Sequence, residues 1–491
     1  MGQRGAVRYC RHVTLMSAMV LASCTGLAAQ TSRPAQTSAG EAKPDTAALR
    51  EERDVEVKTP APYTSKAWGA RLDTEPPGYV KTLDKSGIPG LESLDWLEFG
   101  LEHRTRFEYR SDSRRPDLAD DEQFLLRSRV YVGVRKILDP FRFGIEFQDA
   151  RQFHSNFPER SRDVDEADFL QAFGELYFED ALGQGYPVQF RAGRMTLEYI
   201  DRRLIGRNRW RNTTNSFDGF RLRLGQPAAD WQFDVFAVQP VERRMTSPDR
   251  PDEERWFYGL VGAWRGWSKH VTLEPYYFIL DEDRKDREGA DREIHTVGLH
   301  MFGPIGDTRL DYDLDTAFQF GEDGEREQRA FGVYGEVGYT FDHAWKPRLS
   351  FSTLYATGDR GPDDGVSERF DRLFEATHPY STTDLFAWQN TISPKLRLSL
   401  RPTPKLRLDT SYGAYWLASD ADAWINTGRR DPRGDSDDFV GQELELRVRY
   451  RIDPRVELEA GYSHFFPGPF VGNTGPGDDG DLFYVQTTIG F

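Results

Sequence analysis

Leu97-Glu98-Phe99-Gly100-Leu101-Glu102-His103-Arg104-Thr105-Arg106-Phe107-Glu108-Tyr109-Arg110 places Leu97, Phe99, Leu101, Phe107 and Tyr109 at odd positions. Glu98, Glu102, Arg104, Arg106, Glu108 and Arg110 fall at even ones. The period is two, and in an extended chain successive side chains point to opposite faces, so the stretch has one apolar and one densely ionic face. A soluble sandwich would show milder polar residues on its wet side. A strand of this length, apolar on one side and ionic on the other, suits a barrel with lipid outside and a water-filled channel inside.

The rest of the chain is compatible with that reading. Its 491 residues are 29% charged and 13% aromatic, with a mean hydropathy of −0.67, which is too polar for a helical membrane protein. After the first residues there is no uncharged apolar run of eighteen. A barrel needs none, because only every second residue meets lipid. The 44 Gly and 28 Pro suit many strands and turns and disfavour a long helical array.

The amino terminus reads as an export signal spanning residues 1–29. Arg4, Arg8 and Arg11 form a basic region, Val13 to Leu21 a short apolar core, and Leu27-Ala28-Ala29 a small-residue cleavage site before Gln30. Leu21-Ala22-Ser23-Cys24 offers a second route, with Cys24 lipidated as the new terminus. On either route Cys10 is removed, which leaves no intramolecular disulfide. Residues 1–29 hold no Asp, Glu or Lys, so losing the three arginines takes the formal charge from −16 to −19. That balance argues against nucleic acid as a partner, but it mixes loop and lumen charge and leaves the sign of a bound solute open.

Residues 30–93 read as a largely disordered periplasmic spacer, rich in Ala, Thr, Ser, Pro and charge. From residue 94 to residue 491 the alternation predicts an all-β chain, a transmembrane antiparallel β-barrel of about 18 strands. The segments start at Leu94, Gln123, Pro140, Phe169, Pro187, Phe217, Trp231, Arg255, Val271, Arg292, Thr308, Arg329, Pro347, Gln389, Lys405, Val440, Val456 and Leu482. Long polar connections such as 195–216, 358–388 and 418–439 alternate with short ones such as 137–139, 342–346 and 402–404. Outer-membrane barrels have short periplasmic turns and long extracellular loops in this way. An even strand count keeps both termini periplasmic. The last segment, Leu482 to Phe491, alternates and ends on an aromatic residue, as last strands of such barrels do. Around the Asp453-Pro454-Arg455 turn, Arg451 should face Glu457 and Arg449 should face Glu459, pairs worth about 0.2–1 kcal/mol each.

Arginine dominates the predicted inward face: Arg104 and Arg106, Arg127 and Arg129, Arg191, Arg221 and Arg223, Arg397 and Arg401, Arg447 and Arg449. Facing them are acids that include Glu102, Glu146, Glu175, Asp311, Asp313, Asp315, Glu443, Glu445, Glu457 and Glu459. In a channel, guanidinium rings attract anions and acidic groups limit how tightly they hold. The plainer reading is that mixed charge solvates and braces a lumen. Catalytic patterns are weak: there is no Gly-x-Ser-x-Gly, His-Glu-x-x-His or Walker sequence. Ser463 beside His464 is a bare dyad with no identifiable carboxylate orienter. The acidic loops 431–438 and 475–481 lack calcium-loop spacing and read as solvated surface.

Gly78-Tyr79-Val80-Lys81, Gly193-Arg194-Met195, Arg203-Leu204-Ile205-Gly206, Trp210-Arg211-Asn212-Thr213 with Phe217-Asp218-Gly219, and Gly461-Tyr462-Ser463-His464-Phe465-Phe466-Pro467-Gly468 resemble blocks of the bacterial alginate export family. The resemblance runs from about Pro77 to Phe491. It implies an eighteen-stranded outer-membrane barrel whose narrow, Arg-lined lumen passes a linear polyuronate passively, and it adds Arg194 to Arg127, Arg129 and Arg221 as pore candidates. Met195 stands where that pattern expects Gln. The expectation is therefore a monomeric porin in the outer membrane of a Gram-negative-type bacterium. It would have lipid and an anionic carbohydrate as partners and no cofactor or metal. The alternatives are a structural or adhesion barrel with a plugged lumen, and a hydrolase using Ser463 and His464.

Overall fold

The computed structural model describes residues 64–67, 74–111, 120–283, 291–361, 363–431 and 435–491. The export signal and residues 30–63 of the spacer lie outside the described residues. Eighteen long strands follow in chain order: β1 (Leu97–Ser111), β2 (Asp121–Val134), β3 (Phe141–Phe153), β4 (Asp165–Phe178), β5 (Val188–Met195), β6 (Phe217–Gly225), β7 (Trp231–Glu242), β8 (Arg255–Ser268), β9 (Val271–Glu282), β10 (Arg292–Pro304), β11 (Leu310–Asp323), β12 (Arg326–Thr340), β13 (Arg348–Ala356), β14 (Thr391–Leu400), β15 (Leu406–Trp416), β16 (Phe439–Asp453), β17 (Val456–Pro467) and β18 (Gly480–Gly490).

Each strand pairs antiparallel with the next, and β18 returns to β1 from Glu102 opposite Gly490 to Ser111 opposite Asp481. The sheet is thus a closed eighteen-stranded barrel, with every expected segment matched by one strand. Closure leaves no edge, as a sheet in lipid requires. No described helix is long and apolar enough to cross a membrane.

Alternation fixes the two faces. On β1, Glu98, Arg104, Arg106 and Glu108 are buried inward while Leu101 is exposed outward. The outward set continues through Phe143, Ile145, Phe220, Phe318, Phe351, Leu446, Val448 and Val485, an apolar band fit for lipid. The expected register at the last hairpin is present: Arg451 faces Glu457 and Arg449 faces Glu459. Arg451 pairs with Glu457 at 3.5 Å, whereas the Arg449 guanidinium turns to Asp409 on β15, at 2.9 Å.

Short and long connections largely alternate, and the sharpest departure is on the long-loop side. Between β11 and β12 the chain turns through Gly324 and Glu325 alone, with Gly324 at φ 68° and Asp323 paired to Arg326 at 2.8 Å. Two long connections, 196–216 and 357–390, fold inward. A short parallel strand at Val366–Ser367 pairs with β12, and Ile205 bridges to Phe374, so the two loops are joined to each other as well as to the wall. Part of the segment before β1 also turns inward: Ser65 donates to Asp313, and Lys81–Thr82 pairs with β1.

Candidate pore and its plug

The β1–β2 wall brings Arg104 directly opposite Arg127, with Arg129 opposite Glu102. Like charges facing each other across a ladder repel, so each guanidinium must be answered. Arg127 bonds Glu102 at 2.8 Å, Arg106 pairs with Glu108 at 2.7 Å, and Arg129 donates to Gln148 at 2.9 Å. The answer for Arg104 comes from loop 196–216. Its fork donates to the carbonyls of Arg209 (2.7 Å), Trp210 (3.0 Å) and Arg211 (3.2 Å) and to Asn212 Oδ1 (2.9 Å).

The loop holds this shape through a local turn. The Asn208 side chain accepts from the backbone N–H groups of Trp210 (3.0 Å) and Arg211 (2.9 Å), and the Asn208 N–H donates to Thr214 Oγ1 (2.6 Å). Asn side chains close turns onto the following N–H groups in this manner, which here leaves three carbonyls aimed at the arginine wall. Trp210 lies under the Arg106 guanidinium at 3.9 Å and stacks on His378 at 4.2 Å. Burial, reinforced by Arg447, holds His378 neutral by lowering its pKa to about 3, so the stack carries no second positive charge.

Loop 357–390 fills the remaining cross-section. Arg211 pairs with Asp384 at 2.8 Å. The carbonyls of Pro379 and Tyr380 accept from Arg397 (2.9 Å) and Lys395 (2.6 Å). Thr382 and Thr383 N–H groups donate to Glu445 (2.7 Å) and Glu443 (3.1 Å). Beneath these polar ties is an apolar core in which Trp388 is fully buried among Met195, Ile205, Phe217, Phe236, Phe257 and Phe370. A cavity of about 250 Å³ remains toward the long-loop side, lined by Arg106, Arg110, Arg160, Arg162, Asp163 and Asp384 among others.

Arginines and acids interleave around most of the wall, and on one stretch Asp311, Asp313 and Asp315 of β11 with Glu336 of β12 make an acidic arc, answered in part by Arg348 of β13 at 2.6 Å from Asp311 and 2.7 Å from Glu336. Loop residue Arg203 enters that arc, 2.6 Å from Asp313 and 3.7 Å from Asp315.

At the short-turn end Arg191 bonds Glu175 (2.7 Å) and Arg223 bonds Asp234 (2.8 Å), while Arg221 bonds Glu75 (2.7 Å). Arg194 does not join this set: it lies at the other end of β5, between inward-facing Arg191 and Met195 and on the outward parity of Phe190, where it pairs with Asp218 at 2.8 Å. Arg447 and Arg449 both approach Asp409, at 3.7 and 2.9 Å, and Glu459 accepts from Tyr484 (2.7 Å). Arg401 stands apart: it lies one residue beyond β14, exposed, with its N–H on Trp345 O (2.7 Å). The alternation that carries Arg397 inward has ended by that turn.

Ser463 and His464 are separated by the same rule. Ser463 points inward and donates to Glu443 (2.7 Å). His464 lies on the outer face, with Asp481 at 2.8 Å and Phe466 at 4.2 Å. Adjacent residues of one strand cannot act as base and nucleophile across it.

Among the described residues two clusters have metal-like composition, Asp201–His300–Asp313 and Asp165–Asp168–Asp249. In the first, Arg203 already occupies Asp313. In the second, the Asp168 carboxylate accepts the N–H groups of Phe169 and Asp249, and burial raises the Asp249 pKa to about 7. Sequence reading missed the loop arginines 203, 207 and 211 and the acid at Glu75. A signal for the first was present: five arginines within 202–211 is dense for a surface loop.

A closed barrel with an apolar outer band and an ionic, loop-constricted lumen has the architecture of an outer-membrane channel. The chain belongs to the alginate export family, whose model matches residues 95–485. Solved structures share the fold at low identity. OccK8 (OprE) of Pseudomonas aeruginosa matches with a TM-score of 0.57 at 14% identity, over 80% of this chain and 98% of that one. OccAB1 of Acinetobacter baumannii matches at 0.57 and 12%, over 80% and 96%, and OccAB3 of the same organism at 0.55 and 13%, over 80% and 99%. Among curated proteins no sequence matches.

Proposed function

We propose that the protein passes an anionic carbohydrate, of the polyuronate kind its family is named for, by passive diffusion along the arginine wall. The observation that carries this reading is the concentration of Arg104, Arg106, Arg127 and Arg129 on two adjoining strands, at a depth where loop carbonyls already answer the first three. Backbone carbonyls and the oxygens of a uronate are the same class of acceptor, so a passing polymer can exchange with the plug bond for bond.

In planar bilayers the protein should form anion-selective pores, and Arg127→Glu with Arg129→Glu should weaken that selectivity. Cation-selective conductance in the wild type would refute the reading. The filled lumen favours a second reading, a structural or adhesion barrel that stays plugged. No conductance even after deletion of 358–388 would establish that one instead.

A further inference from the structure

At the short-turn end of the lumen three guanidiniums converge from β5 and β6. The wall provides two carboxylates for them. Glu175 takes Arg191 through Nε and Nη2 (2.9 and 2.7 Å), and Asp234 takes Arg223 through Nε and Nη2 (2.8 and 2.9 Å). Arg221, 1% exposed, has only the neutral Gln189 from the wall, at 3.2 Å. Among the described residues the one carboxylate within 4 Å of Arg221 is Glu75, which belongs to the segment before the barrel. It accepts a two-pronged bond from Arg221, 2.7 Å on each oxygen. It also lies 3.2 Å from Arg191 and 3.4 Å from Arg223. The wall alone is therefore one negative charge short, and a buried guanidinium left bare is costly.

We propose that Arg191, Arg221 and Arg223 form a binding site for a carboxylate of the transported sugar, a hexuronate, and that Glu75 occupies it in the closed channel as a built-in surrogate.

The inference rests on the anion-channel reading above. Three features support a displaceable occupant. Planar two-pronged pairing is the geometry guanidinium uses for carboxylates in general, so a free uronate fits the same fork. The Glu75 side chain is 36% exposed while those of the three arginines are 1–12% exposed, so the acid sits at the wet edge of a built pocket. Its segment is anchored further on, where Tyr79 donates to Glu146 at 2.5 Å and Lys81–Thr82 pairs with β1. Glu75 can thus leave without detaching the segment, and it stays on a short tether at high effective concentration. Burial works against ionisation of Glu75, but Arg221, Arg223 and Arg191 outweigh it and hold its pKa well below the usual carboxylate range, so the surrogate is charged at any physiological pH.

The test uses the full-length protein in planar bilayers, with trigalacturonate as probe and maltotriose as the neutral control. Glu75→Gln should raise conductance and lower the half-blocking trigalacturonate concentration by about tenfold or more, since an occupied site reduces apparent affinity by its free fraction. Glu75→Asp, which keeps the charge, should restore most of the wild-type behaviour. Arg221→Gln should also raise conductance but abolish the block. Maltotriose should block none of them. Anion-selective pores with the same conductance and block in wild type and Glu75→Gln would overturn the surrogate while leaving the channel reading intact, and equal block by maltotriose would do the same. Cation-selective currents throughout, with no trigalacturonate effect, would overturn both.

Discussion

Asn212 is the residue whose loss should loosen the plug without altering the charge of the pore. It is fully buried and fastens loop 196–216 to the wall on both sides of its amide. Its Nδ2 lies 2.9 Å from Leu126 O, 3.1 Å from Arg151 O and 2.9 Å from Asp163 O, and its Oδ1 accepts from Arg104 at 2.9 Å. Two amide hydrogens cannot serve three carbonyls at once, so two neutral bonds are counted, at about 1 kcal/mol each. The bond from a charged guanidinium adds about 1.5–3 kcal/mol. Asn212→Ala therefore weakens loop docking by about 3.5–5 kcal/mol, which shifts the balance between docked and released loop by more than about a hundredfold. Single-channel recording should show longer open dwell times, with anion preference unchanged because Arg104, Arg106, Arg127 and Arg129 all remain. Limited proteolysis should cut the loop faster over the same interval. Unchanged dwell times and cleavage rates would mean that the loop is held by its apolar contacts, and that its hydrogen bonds to the wall do not set the closed state.

Two further outcomes follow from the same packing. Glu375, in loop 357–390, has its pKa pushed up to about 8, chiefly by burial, against the lowering pull of Arg372 and Arg211. A released loop would ionise it near 4.3, so docking takes up a proton, and the stability this confers is lost as pH rises from about 4.3 to about 8. Open probability should therefore climb over that window, and Glu375→Gln should flatten the profile; a profile unchanged by the substitution would refute the assignment. In the wall, a Cβ on Gly298 would lie 2.1 Å from the Tyr276 ring, whereas one on Gly335 would meet nothing closer than 3.9 Å. Gly298→Ala should cost about 1–3 kcal/mol through overpacking, read as a lower urea midpoint in detergent, with Gly335→Ala close to neutral as the control.

How much of this was legible in the chain depends on whether a side chain's place is set locally. Period two carried all eighteen strands, because one apolar and one ionic face can be read from neighbours alone, and it carried the Arg449–Glu459 register across a turn of two residues. It failed at strand ends, where Arg401 keeps the parity of Arg397 but has left the ladder. The plug was not legible because loops 196–216 and 357–390 have no period. Their places are set by partners far along the chain, such as Arg211 with Asp384 and Arg104 with the 209–212 turn. Glu75 was hidden for the same reason: its partner Arg221 is 146 residues away, and a lone acid in a Pro- and Thr-rich spacer looks like any other solvated charge.

The arrangement also explains why so many like charges can share one wall. Guanidiniums packed side by side destabilise a sheet unless oxygen atoms stand between them, and the barrel draws those oxygens from three sources. Glu102, Glu108 and Glu175 belong to the wall and are permanent. The carbonyls of 209–211 belong to a loop, and the carboxylate of Glu75 belongs to a tethered segment. On the reading proposed above, only the last two leave, whatever replaces them must bring oxygens of its own, and selectivity needs no separate filter. A neutral or cationic solute that displaced the plug would leave Arg104 and Arg221 bare at a cost of several kcal/mol, whereas a polyuronate restores the lost bonds as it enters.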